Sequence, residues 1–125
     1  MKSWKQASEE DVRELARAWA ADVAEEDSDL QQSVVMMNFT APANVQWAFI
    51  LEAIARAQTE DQLGAIAAGP MEHLLGHHGD DYIELFEERS ATDSKFAAAV
   101  RGMWQYKMSD DNWRRIEAIK HRSRQ

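Results

Sequence analysis

Apolar side chains recur at steps of three and four residues along nearly the whole chain, a spacing that lines them up on one side of a coil with 3.6 residues per turn. After Ser8, the positions Val12, Leu15, Ala16, Trp19, Ala20 and Val23 form such a stripe over about residues 9 to 25. Further stripes are Trp47, Ile50, Leu51 and Ile54, then Leu63, Ile66 and Ala67, then Phe96, Ala97, Val100, Met103 and Trp104, and last Trp113, Ile116 and Ile119. No segment alternates strictly between apolar and polar residues as a half-buried strand does. The pattern predicts an all-α fold of six to seven short helices. In a chain of 125 residues, one core suffices, and residues 1–125 are expected to form a single helical domain with a short lead over 1–8 and a basic tail that frays over 122–125.

Local chemistry sets the expected boundaries. Ser8 with Asp11 opens a capping pattern for the first helix, and the acidic stretch Glu25–Asp29 is unfavourable at a helix C-terminus, so that helix is expected to end there. Residues 26–41 are left ambiguous, because Val34, Val35, Met36, Met37 and Phe39 form too short a run for period to separate helix from extended chain. Thr40 and Pro42 are start signals for a second long helix reaching about Ala57. Val45 and Phe49 fall off its main stripe, which makes it apolar on more than one face and places it centrally. Thr59 and Gln62 match a capping box, and the helix they start is expected to stop at Gly69 in a left-handed C′ conformation. Pro70 would then open a fourth helix ending at Gly79, Asp80 cap a fifth with Tyr82, Ile83, Leu85 and Phe86, Thr92 or Asp93 a sixth, and Ser109 a seventh. Such short connections favour antiparallel helical hairpins stacked as in an armadillo- or HEAT-like α-α superhelix, although a compact orthogonal bundle satisfies the same pattern.

Charge narrows the function classes. The formal net charge is −8, yet residues 1–100 carry 7 Lys and Arg against 19 Asp and Glu, while residues 101–125 carry 7 against 3. Nucleic acids are bound through Lys and Arg that neutralise phosphates, so no nucleic-acid partner is expected, and a basic protein partner is electrostatically easier. The basic residues Arg114, Arg115, Lys120, Arg122 and Arg124 suit the last turns of a helix, where cations offset the dipole. The longest apolar runs, Trp47–Leu51 and Phe96–Val100, are five residues each, against about twenty for a membrane-spanning helix. Cysteine is absent and the first residues lack the apolar stretch of a secretory leader, so a cytoplasmic setting without membrane association is expected.

One stretch has chemical potential: Glu72-His73-Leu74-Leu75-Gly76-His77-His78-Gly79-Asp80-Asp81. His73 and His77, four apart on a helix, share a face and could hold a metal with Asp81, or serve acid-base chemistry with Glu72 and His78. Helix-end chemistry explains the same residues, with His77 and His78 at a C-terminus, Gly79 closing it and Asp80 capping the next helix. No Glu precedes a His by three residues, and no His-Glu-x-x-His, glycine-rich phosphate loop or Gly-x-Ser-x-Gly elbow occurs, so no catalytic residue, cofactor or metal is assigned. Trp19, Trp47, Trp104 and Trp113 lie on apolar stripes and are expected in the core, with the role of Trp4 open. Phe49, off its helix's main stripe, and the acidic Glu84, Glu87 and Glu88 are possible interaction positions.

The run Ala67-Ala68-Gly69-Pro70-Met71-Glu72-His73-Leu74-Leu75, followed by His78-Gly79, Ile83 and Glu87, resembles a bacterial family of small domains of unknown function. With Trp47, Phe96 and Trp104 the resemblance spans roughly residues 44 to 116. It implies a helical fold similar to armadillo or HEAT superhelices and no established activity. Glu72 and His78 are the polar positions it carries over, as site or structural hydrogen bond, whereas His73 departs from the family's pattern. The expected function is a non-enzymatic protein-interaction domain, able to neutralise a basic partner in the manner of an immunity protein. The alternative is an enzyme built on Glu72, His73, His77, His78 and Asp81.

Overall fold

The computed structural model describes residues 4–22 and 29–122. The first helix, α1 (Glu9–Asp22), begins as its sequence demands: Asp11 N–H donates to Ser8 Oγ at 3.0 Å, and Ser8 N–H donates to the Asp11 carboxylate at 2.9 Å. Each satisfies a backbone donor that the first turn would otherwise leave unpaired. Its expected end near residue 25 lies outside the described residues. Val12, Leu15, Ala16 and Trp19 are buried, and α1 packs most extensively on α3 (Ala43–Arg56).

Most of the ambiguous stretch resolves as a helix, α2 (Asp29–Thr40), which buries Val34, Met37 and Asn38. Thr40 closes this helix rather than starting the next. Its hydroxyl donates to the Met36 carbonyl at 2.7 Å and accepts the Trp4 N–H at 2.9 Å, which anchors the buried Trp4. Pro42 precedes the first turn of α3, and its carbonyl accepts the N–H groups of Val45 and Gln46. Burial of Val45, Gln46, Ala48, Phe49, Ile50, Ala53 and Ile54 makes α3 the central helix, in contact with α1, α4, α5 and α6. Its Trp47 ring is half-buried against Tyr82, Phe86 and Phe96.

The Thr59–Gln62 capping box is present at the start of α4 (Glu60–Ile66). Gly69, however, ends nothing. The chain passes through a π-helical segment, Ala67–Met71, directly into α5 (Glu72–Thr92), and no described glycine has positive φ. Pro70 cannot donate to the carbonyl four residues back and its ring crowds that carbonyl, so the turn widens. The Glu72 N–H reaches the Ala67 oxygen, five residues earlier. Gly79 is not a terminus either, because α5 continues past it with one break at His78 (φ −135, ψ 31).

Asp93, as expected, caps α6 (Ser94–Val100) by accepting from the N–H groups of Lys95 and Phe96. That helix stops short of the predicted stripe: Arg101, Gly102 and Met103 close it with N–H bonds to Ala97, Ala99 and Val100. Met103 is buried, but Trp104 is 72% exposed and not a core residue. The segment 103–109 crosses α5 as a strap, and its Lys107 has a φ of 56. Ser109 caps α7 (Asp110–Arg122) through the Asn112 N–H. Arg124 lies outside the described residues. The fold is all-α, with no strand among the described residues.

Candidate functional site

The strap determines what α5 presents. Gly76 and Gly79 are glycines because other chain passes close by: a Cβ on Gly76 would stand 2.6 Å from the Tyr106 carbonyl oxygen, and one on Gly79 2.8 Å from Asn112 Nδ2. Asp80, expected as a cap, accepts from Asn112 Nδ2 at 2.9 Å and so ties α5 to α7. Glu72 accepts the Trp104 N–H at 3.0 Å. Burial pushes the Glu72 carboxyl above its ordinary range, opposed by that N–H and by Lys120. Lys120 Nζ donates to the Met103 carbonyl at 2.8 Å and lies 5.2 Å from the centre of the Trp104 ring and 5.3 Å from that of Trp113.

Held in this way, the strap brings Tyr106 against two histidines. The His73 and His77 rings are 4.4 Å apart, centre to centre, as the four-residue spacing predicts. Tyr106 lies 6.2 Å from His73 and 6.3 Å from His77, and Phe39 of α2 meets His73 edge-on at 4.7 Å. Both His73 ring nitrogens are buried without a hydrogen-bond partner. Burial, then His77, Lys107 and His78, hold His73 below the usual imidazole range. It is therefore a neutral, ring-packed group at neutral pH. Phe39 is 64% exposed, so the cluster presents an aromatic face, while the exposed Trp104 ring lies against Lys120, which also meets Trp113 of α7.

On the other side of His77 a depression of about 430 Å³ is lined by His77, His78, Asp80, Asp81, Lys107 and Ser109, among others. Asp81 is exposed and does not join the histidine pair. Among the described residues no three His, Asp or Glu side chains gather in a way that could hold a metal ion, so the His73, His77 and Asp81 set is not assembled. Phe49 is fully buried, 5.7 Å from the Trp19 ring, and cannot meet a partner; the off-stripe position that suggested exposure reflects a helix buried on several sides. Glu87 is bound by both nitrogens of an Arg115 fork, which lowers its pKa. Glu84 and Glu88 remain exposed. Phe39, Trp104 and Tyr106 are the residues that sequence reasoning missed. The available signal was Gly102, whose position inside an assumed helix marked a turn.

Rings with exposed faces can stack on planar groups, bury an apolar side chain or attract a cation. Fold and face together describe a helical domain with an aromatic surface fixed by a strap. The chain belongs to a family of unknown function, DUF6869, whose model matches residues 18–124 and so includes Phe39, His73, His77, Trp104 and Tyr106. No curated protein and no solved structure matches it. No helix among the described residues is long and apolar enough to cross a membrane.

Proposed function

We propose that the domain is a non-enzymatic interaction module that seats an apolar or aromatic side chain of a basic protein partner on Phe39, His73, His77 and Tyr106, with the exposed Trp104 as a second contact. The observation that carries this reading is the exposure of Phe39 and Trp104, 64% and 72%, in a chain whose other Phe and Trp rings are buried or half-buried. Large rings of this kind dominate contact energies, each covering roughly 150–250 Å². The net charge of −8 opposes pairing of two copies and favours a cationic partner. Exposed Glu84 and Glu88 on the same helix add to that field. Neutralisation of a basic toxin-like protein is one form such an interaction takes.

The test compares affinity capture from native lysate by the wild-type chain and by Phe39→Ser and Trp104→Ser. The expected result is one basic protein retained by the wild type and lost with both variants, whose thermal midpoints stay at the wild-type value. Equal retention by the variants, an acidic partner, or a wild-type protein that only self-associates in sedimentation would overturn the reading.

A further inference from the structure

We propose that the middle of the strap is a latch opened by acid: a proton taken up by His73 releases Tyr106 and Lys107 from α5 and dismantles the aromatic face. Release is a property of the chain alone, whereas the control it gives over partner binding rests on the interaction reading above. The surroundings of His73 suit only the uncharged ring. Both of its nitrogens are buried without a hydrogen-bond partner, so a second N–H would find no acceptor while the strap is closed. Its ring neighbours are Phe39 from α2, His77 from its own helix and Tyr106 from the strap. The charged groups that act on it, His77, Lys107 and His78, all disfavour the protonated form. No acid from the other packed elements offsets them. The one charged residue of α2 is Asp29, at the end opposite Phe39, and the segment Ala67–Met71 carries none. Glu72 is engaged by the Trp104 N–H and by Lys120.

The strap is fastened at its ends and not between them. At the first end Met103 is buried, its carbonyl accepts from Lys120, and the Trp104 N–H donates to Glu72. At the second, Met108 is buried, Gln105 donates to the Met108 carbonyl and to Asp110, and Ser109 caps α7. Among the described residues no hydrogen bond ties Tyr106 or Lys107 to α5, so ring packing alone holds the middle down. Lys107 is also the one described non-glycine residue with positive φ, 56, a conformation that lysine leaves readily once its surroundings stop enforcing it. Closed, the strap holds His73 below the usual imidazole range, chiefly by burial; opening hydrates the ring and returns it towards about 6.5. The open form therefore binds the proton more readily. Closure is most favourable above about pH 6.5 and weakens as pH falls through the lower closed value. A carboxyl raised by burial would have the opposite sign if opening hydrated it, but Glu72 stays at the first anchor in both forms.

Backbone nitrogen relaxation and NOEs between the Tyr106 and histidine rings are measured on the full chain, without partner, between about pH 7.5 and about pH 5. The expected result is that the order parameters of Tyr106 and Lys107 fall from about 0.85 to below about 0.6 and the ring NOEs vanish. Met103, Met108, α1 and α3 keep their values, and the midpoint coincides with the titration of the His73 ring. His73→Phe should stay closed at the acid end. Lys107→Gln, at an exposed position, removes one of the charges opposing the proton and should open less than the wild type. A Tyr106 that stays rigid at about pH 5, loosening of α1 and α3 at the same midpoint, or His73→Phe opening like the wild type overturns the latch. If His73→Phe does not fold, Lys107→Gln opening as fully as the wild type overturns it. A strap that opens while no basic protein is captured sinks the interaction reading and leaves the latch; a captured partner held equally at both pH values by a strap that stays closed does the reverse.

Discussion

Gly64 and Gly76 both sit in helices, yet replacement by alanine should move stability in opposite directions. An alanine in an open helical position gains roughly 0.5–1 kcal/mol over glycine by restricting the unfolded chain. Nothing lies within 4 Å of a Cβ built on Gly64, so Gly64→Ala should raise the thermal midpoint by a few degrees, on the order of 4 °C per kcal/mol. At Gly76 the added carbon would meet the Tyr106 backbone oxygen at 2.6 Å, and Gly76→Ala should lower the midpoint by several degrees and increase strap mobility. Parallel melts of the two variants check both signs. His73 makes a second residue-scale prediction. Its folded pKa is lowered, so the unfolded chain binds the proton more readily and stability rises with pH. The contribution is complete above the free imidazole value of about 6.5 and is lost as pH falls from there through the lower folded value. Urea titrations between about pH 7.5 and about pH 5 should show a steeper acid loss in the wild type than in His73→Phe. Equal slopes would mean that His73 is not the source.

At the scale of elements, caps and corners behave differently. Asp93 caps α6 through two N–H groups and sits where α5 must stop, so Asp93→Ala should cost about 1 kcal/mol, with Asn restoring most of it. Circular dichroism melts of the two variants decide this. The caps at Ser8, Thr59, Asp93 and Ser109 were legible because they depend on side chains within four residues of the helix start. The endings assigned to Gly69 and Gly79 were not, since a glycine that permits a left-handed turn is the same letter as one that permits close approach. Only the position of Asn112, some thirty residues away in sequence, shows that Gly79 is of the second kind. Pro70 misled for a related reason: it suits a first helical turn, but a π turn accommodates it within a continuous helix.

For the whole molecule, the aromatic face predicts a separation of stability from recognition. Phe39 and Trp104 are exposed, so their serine variants should melt close to the wild type while losing the partner, whereas Phe49→Ser, at a fully buried site, should be destabilised by several kcal/mol or fail to fold. Differential scanning calorimetry beside the capture experiment separates these outcomes. The period of the apolar residues determined on its own that the chain is helical and that α3 lies at the centre, because burying those stripes from water is favourable wherever they end up packed. It also placed His73 beside His77, a consequence of helical pitch alone. Tertiary structure decided what covers α5: that Phe39 and Tyr106 complete a ring cluster, that Trp104 faces outward, that Glu87 is taken by Arg115, and that Asp81 stays apart. Those outcomes depend on contacts between segments distant in sequence, and no local pattern of residues encodes which segment will arrive.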